Sequence, residues 1–359
     1  MEVSGAKAVK EAKAVKASVG GVAHAVLTSR ALVTSRDGTV GRWQGPVGTP
    51  KDQHPMDPEN LDLWSRSRRL QVVKAELLSG ISYRDTVKKN RTELVYLSGD
   101  GDKAKPLVTI CRPDFKGDYL TNQLRYVQNY AALRLERSAE INVQLTDILS
   151  FIGTVENLHP HRHRHTLELL TAILNVTVLV EQRVKHGLAC RRPAEYSPQI
   201  QPMIQTPGHS SFPSGHATEA FTAAFVLFAL LHDGKPFKTS LIDEKSKNYK
   251  ANDGKRLVFE HLMRHAERIA INRTVAGVHF PVDSAAGLVL AWTLSEYCMA
   301  RCSSTIEVRS REFDGPSFDK DFSYDDVLKN TADGKVSCHP EQSPELAYLW
   351  TNALREWGN

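Results

Sequence analysis

A chain of 359 residues, 41% hydrophobic and 24% charged with a formal net charge of +5, is long enough to bury a large core and has the composition of a globular protein. Its longest apolar stretches, residues 167–180 and 220–231, are shorter than a membrane span and the first carries Glu168, so no integral membrane contact is expected. The five cysteines (Cys111, Cys190, Cys298, Cys302 and Cys338) have no framework spacing, and residues 20–33 lack the uninterrupted apolar centre and cleavage site of a Sec signal; together these predict reduced thiols and a cytoplasmic setting.

The N-terminus repeats Ala-Lys-Ala-Val-Lys at residues 6–10 and 12–16, a cationic segment compatible with helix. It reads as a loosely attached arm, and no nucleic-acid partner is expected. Residues 38–60, rich in Gly, Pro and polar side chains, predict an extended continuation of that arm. Residues 61–78 carry apolar positions at mixed helical spacing, and 87–97 continue in the same style. The Gly-Asp-Gly-Asp cluster at 99–102 is a turn without calcium-loop spacing, and 106–112 read as a short strand.

Beyond Tyr119 the pattern is helical: residues 121–152, 166–185, 217–231, 255–275 and 282–299 repeat apolar positions at three and four, with no strand alternation of comparable strength. The implied fold is mostly α, a helical bundle. Gly187 is the expected stop of the helix that ends near Lys185, and Pro193 forces Arg192 into a loop. His159, His161, His163 and His165 alternate with Pro160, Arg162 and Arg164; the arginines repel a cation, so the run reads as a solvated loop rather than a metal site. Cys298 and Cys302 share a helical face and read as packed thiols, and Cys190 as a small buried filler. A charged, Phe- and Ser-containing stretch at 309–326 precedes a last helix at 345–357. The expected organisation is a basic arm at 1–60, a helical catalytic domain at 61–303 and a C-terminal extension at 304–359 packing on the bundle or on a partner subunit, which leaves room for a homo-oligomer.

Three segments carry the chemistry: Lys185 with Arg192-Pro193, Pro213-Ser214-Gly215-His216, and Arg273 with His279 and Asp283. Two guanidinium groups and an ammonium supply fixed charge and N–H donors for a tetrahedral or trigonal-bipyramidal oxyanion. Ser214 and Gly215 precede an apolar helix whose first amides and dipole can face that anion. His216 and His279 offer two imidazoles, one for acid–base work and the other as nucleophile or metal ligand. Asp283, four residues after His279, is placed to fix the tautomer of that ring.

In order and spacing these segments resemble the signature of the superfamily that joins type 2 phosphatidic acid phosphatases, bacterial non-specific acid phosphatases and vanadium-dependent haloperoxidases. The resemblance covers residues 185–283 and departs from the usual pattern at Asn272, where the family has Ser. It implies the helical bundle of the haloperoxidase and acid phosphatase type. It also implies that Lys185, Arg192, Ser214, Gly215 and Arg273 bind phosphate or vanadate oxygens, that His279 attacks phosphorus or binds vanadium, and that His216 is the acid/base. His209, seven residues before His216, matches a histidine of the bromoperoxidases in the family and turns the expectation toward a vanadate-dependent haloperoxidase. Its cofactor would be vanadate and its small-molecule substrates hydrogen peroxide with bromide or iodide, the peroxide being polarised by Lys185. The alternative is a soluble phosphomonoesterase that forms a phosphohistidine at His279 and needs no cofactor. The short connection from His216 to Arg273 favours that alternative.

Overall fold

The computed structural model describes residues 22–45, 48, 53–86, 88, 90–98, 104–244 and 253–358. The cationic repeat at 6–16 and the turn at 99–102 lie outside the described residues. The chain divides into two units, Met1–Pro55 and Met56–Asn359. The described part of the first contains α1 (Val22–Thr39).

The second unit is mostly helical, as the 3.6-residue periodicity predicts. It is built on three long helices: α6 (Arg164–Leu188), α8 (Gly215–Leu230) and α10 (Pro281–Cys302). Helix α8 packs against α6, against α10 and against α9 (Gly254–Val275). Every residue of α10 is buried, and in α8 only His216 and Glu219 are not. Helices apolar all round must sit inside the bundle. At their crossing a Cβ on Gly287 would stand 2.9 Å from both Ala217 Cβ and Ser214 O, so glycine lets α10 close against the start of α8.

Around this core lie α2 (Arg66–Leu78), α3 (Gly117–Tyr130), α4 (Arg134–Val143), the single turns α5 (Leu149–Ile152) and α7 (Pro193–Tyr196), α11 (Tyr324–Asn330) and α12 (Pro344–Arg355). A four-stranded sheet flanks them in the order β1 (Ile81–Thr86), β2 (Arg91–Tyr96), β3 (Lys105–Cys111), β5 (Arg311–Asp314). The first three strands are antiparallel and β5 joins β3 in parallel. Two further short strands, β4 (Val308–Arg309) and β6 (Ser337–Cys338), pair with each other.

Strand β2 corrects the helical expectation for residues 87–97. All but its first residue are buried, including Thr92 and Glu93; Glu93 is reached by Arg84 at 3.2 Å and Arg91 at 2.9 Å. Charges that resembled a solvated helix face thus neutralise one another on a sheet.

The C-terminal extension packs on the helical unit. Leu346, Leu349, Trp350 and Ala353 of α12 are buried, and α12 lies against α6 and α10. Glu356 then caps the start of α6, accepting from the amides of His165 at 2.7 Å and Thr166 at 2.9 Å. The histidine run serves the same junction: the ring of His163 stacks on Trp357 with centroids 4.0 Å apart, and its Nδ1 accepts from the amide of His159. Cys190, Cys298 and Cys302 are buried free thiols.

Candidate active site

Lys185, on the last turn of α6, is the first cation of the site. Gly187 is not the stop expected; α6 continues to Leu188 and turns at Ala189, whose φ of 49° and ψ of 47° place it in the left-handed region. Gly187 is instead a close approach, since a Cβ there would meet Thr92 Oγ1 and, at 2.7 Å, Asp85 Oδ1. Lys185 is 1% exposed, and its ammonium donates to the carbonyls of Ser211, at 3.1 Å, and Pro213.

Arg192 starts the turn α7 in extended geometry, as Pro193 requires, and its side chain runs inward to 1% exposure. Its Nε donates to the carbonyl of His209 at 3.0 Å and its Nη1 to that of Val278 at 2.8 Å. Nη1 also lies 3.2 Å from His279 Nε2. A guanidinium only donates, so Nε2 is the acceptor and the ring proton sits on Nδ1. There Asp283 Oδ2 stands 2.9 Å away, accepting as well from the Phe280 amide at 3.0 Å and from the Ser211 hydroxyl. Burial first, then the charges of Arg192 and Lys185, hold His279 well below its ordinary value of 6.5. Burial pushes Asp283 up to about 6 against the hydrogen bond from Ser211. At neutral pH the pair is therefore a neutral imidazole held by a carboxylate.

Ser214 caps α8, its hydroxyl accepting from the Ala217 amide at 3.4 Å. Its own amide donates to the Asp283 carbonyl at 2.8 Å, which ties the second and third segments together and takes that amide out of the anion-binding set. His216, on the first turn of α8, is aligned by the carbonyl of Gln144, 3.0 Å from Nε2. Since a carbonyl only accepts, Nε2 carries the proton and Nδ1 is left for acid–base work. Burial, then the charge of Arg273, pushes His216 down to about 3.

Arg273 ends α9. Its Nη2 donates to the carbonyl of Ile141 at 3.1 Å and to Gln144 Oε1 at 3.2 Å, while the buried Nε and Nη1 have no partner among the described residues. Burial lowers it to about 10, so it remains cationic. Two unpartnered buried guanidinium nitrogens are donors prepared for an oxyanion. Asn272 joins the same network, donating to Gln144 Oε1 at 2.9 Å and Glu140 Oε2 at 3.1 Å.

The fold thus gathers Lys185, Arg192, Ser214, Gly215, His216, Arg273, His279 and Asp283 from four helices and a turn. His209 is more peripheral: it is exposed, with Nδ1 3.3 Å from Arg192 Nη2. Three further residues of the pocket lie outside the three segments: Ser211 and Gln144, which hydrogen-bond its side chains, and Glu181, which lies against Gly215. Ser211 falls between His209 and Pro213, where only its neighbours hint at a role. Gln144 follows α4 and carried no sequence signal. Glu181 lies one helical turn before Lys185.

Residues 165–303 match the family model described as the PAP2 superfamily, and the chain carries a PAP2 superfamily domain there. That span contains every one of these candidate residues except Gln144. Among solved structures the chain is similar to the first transmembrane PAP2 type phosphatidylglycerolphosphate phosphatase from Bacillus subtilis, at 17% identity, over 67% of this chain and 92% of that one. The TM-score is 0.27. No helix among the described residues is long and apolar enough to cross a membrane. No curated protein matches.

Proposed function

We propose that the protein is a phosphatase that cleaves phosphate monoesters through a phosphohistidine at His279. One observation carries this reading: the neutral ring of His279 is fixed by Asp283 through Nδ1 and presents the lone pair of Nε2 toward Arg192. The PAP2 domain supports it, and the reading that ranked second on sequence grounds moves ahead of the haloperoxidase.

In the first step Nε2 attacks phosphorus, the N–P bond forms and the P–O ester bond breaks. Asp283 stabilises the charge that develops on the ring. Lys185, Arg192 and Arg273 hold the phosphoryl oxygens and oppose the negative charge of the trigonal-bipyramidal transition state. His216 gives its proton to the leaving alcohol. Its lowered proton affinity arises from burial and neighbouring cations, and a bound phosphate dianion offsets those cations, so substrate itself makes the acid competent. Water then attacks phosphorus as His216 takes its proton; the new P–O bond forms, the N–P bond breaks with its electron pair returning to Nε2, and phosphate leaves.

A second reading, vanadate-dependent haloperoxidase, rests on His209 beside Arg192. The donor set suits vanadate as well as phosphate: Arg273 offers two nitrogens unpartnered among the described residues, and His279 Nε2 would be the ligand to the metal. Vanadate would supply peroxide activation for halide oxidation. Lys185, Arg192, Arg273 and Ser214 would orient its oxygens, and His209 would relay protons at the rim.

The deciding experiment assays metal-free protein with a chromogenic phosphate ester, with rapid quench in base to trap acid-labile phosphohistidine. In parallel, orthovanadate-loaded protein is assayed for bromide- and peroxide-dependent dye oxidation. Ester cleavage with label on His279 is expected. Dye oxidation without ester cleavage would reverse the order of the two readings.

A further inference from the structure

Beneath the cations lies a carboxyl group that the phosphatase chemistry does not use. Glu181 is 2% exposed, and Lys185 follows it by one turn on α6. A Cβ added to Gly215 would stand 2.5 Å from Glu181 Oε1 and 3.0 Å from Oε2, so both oxygens face the residue that opens α8. Oε1 accepts only a long bond, 3.3 Å, from Gln182 Nε2, and buried Oε2 has no partner among the described residues. A carboxylate in the wall of an oxyanion pocket repels the ligand, whereas a carboxylic acid does not.

We propose that Glu181 takes up a proton when the pocket captures an oxyanion, so that the site binds a tetrahedral dianion together with a proton. The inference rests on the oxyanion-binding reading of the pocket. In the empty pocket, at a pH where Glu181 is ionised, its carboxylate opposes the charge of Lys185 through space, the ammonium itself donating to the carbonyls of Ser211 and Pro213. As the dianion arrives Lys185 turns its charge to the ligand, Glu181 loses its counter-ion, and a solvent proton restores neutrality on the acid. The charged groups facing Glu181 are Lys185 on its own helix, Glu219 on α8 and Arg192 on the turn. Their balance agrees: burial raises the proton affinity of Glu181, and burial lowers that of Lys185 while Glu181 opposes the fall.

The probe is tungstate, a tetrahedral dianion that does not itself titrate in the range used. At about pH 9, above the ordinary carboxyl range, infrared difference spectra are recorded as tungstate is added to wild-type protein, Glu181→Gln and Glu219→Gln. A protonated-carboxyl band should grow as a carboxylate band bleaches in wild type and in Glu219→Gln, and both changes should vanish in Glu181→Gln. Circular dichroism checks the fold, and the wild-type spectrum is decisive even if a variant fails. Tungstate binding without a carboxyl band, or a band that persists in Glu181→Gln, overturns the inference and leaves the oxyanion pocket standing. Failure of wild-type protein to bind tungstate at all overturns the pocket reading and the inference with it.

Discussion

Arg192 places Nη1 3.2 Å from Nε2 of His279, the atom that attacks phosphorus in the proposed reaction. Arginine and phosphorus therefore compete for one lone pair. An incoming phosphoryl group resolves the competition by offering the guanidinium its own oxygens, so the same movement that binds the substrate uncovers the nucleophile. Arg192→Ala removes both the anchor and the guard. Each lost hydrogen bond to a charged partner is worth about 1.5–3 kcal/mol, so oxyanion affinity measured by tungstate inhibition should fall more than about tenfold. Arg273→Ala should do the same; unchanged inhibition constants in both variants would show that the pocket is misassigned.

Asp283 acts through His279, and its removal should show in turnover rather than in binding. Asp283→Asn keeps the shape but lets the ring choose the other tautomer, an effect on the order of 10⁴-fold in the comparable Ser-His-Asp arrangement. A large loss of kcat with KM nearly constant is expected, and His279→Ala should abolish turnover in a folded protein. Ester hydrolysis by purified variants, with circular dichroism as control, measures both.

Ser211 tests the layer behind that pair. Its hydroxyl donates to Asp283 Oδ2 and lies 3.3 Å from His279 Nδ1. Ser211→Ala removes a hydrogen bond that favours the Asp283 carboxylate, so the acidic limb of the kcat profile should move to higher pH while KM changes little. An unshifted limb would mean that the carboxylate does not depend on Ser211.

His216 should favour unfolding as the solution becomes acid. His216 binds its proton at about 3 in the folded chain and near 6.5 when unfolded, so the unfolded state takes up more protons in that window and gains as pH falls. His279, lowered further, adds in the same direction. Asp283, raised from 3.8 to about 6, opposes them over a narrower range. Glu219, raised to about 7, and Glu181, also raised by burial, oppose them as well, so the contribution of His216 is read as a difference between proteins. As pH falls from about 6.5, the urea midpoint of His216→Gln should rise relative to that of wild type; an identical pH dependence in that variant would remove His216 as a cause.

The long helices were legible because burial all round leaves the long apolar runs of α8 and α10 and burial of one face leaves the repeat of α6, and α8 to α10 match the expected bounds to within a few residues. Of the sheet, β3 was read as the short strand at 106–112, whereas β2 was not, since it buries Thr92 and Glu93 and hides its alternation behind ion pairs. In the site, Lys185, Arg192, His216, Arg273, His279 and Asp283 could be read from type and spacing. Gln144 could not: it joins His216, Asn272 and Arg273 only after α4 has packed beside α9. A residue that works by bridging distant segments leaves no local pattern.

The C-terminal extension offers a test away from the chemistry. Glu356 takes the amides of His165 and Thr166 and the hydroxyl of Thr166, so Glu356→Ala should cost about 1 kcal/mol in denaturant unfolding while leaving KM unaltered. No change in midpoint would show that α12 holds α6 by packing alone.

Gly187 constrains how this chain can be diversified. A side chain there would run into Thr92 and Asp85, on the strands beside α6, two residues from the lysine of the pocket. A saturation library at that position should return glycine among active clones, whereas the exposed neighbour His186 should accept broad replacement, making the pair a built-in calibration for any selection scheme.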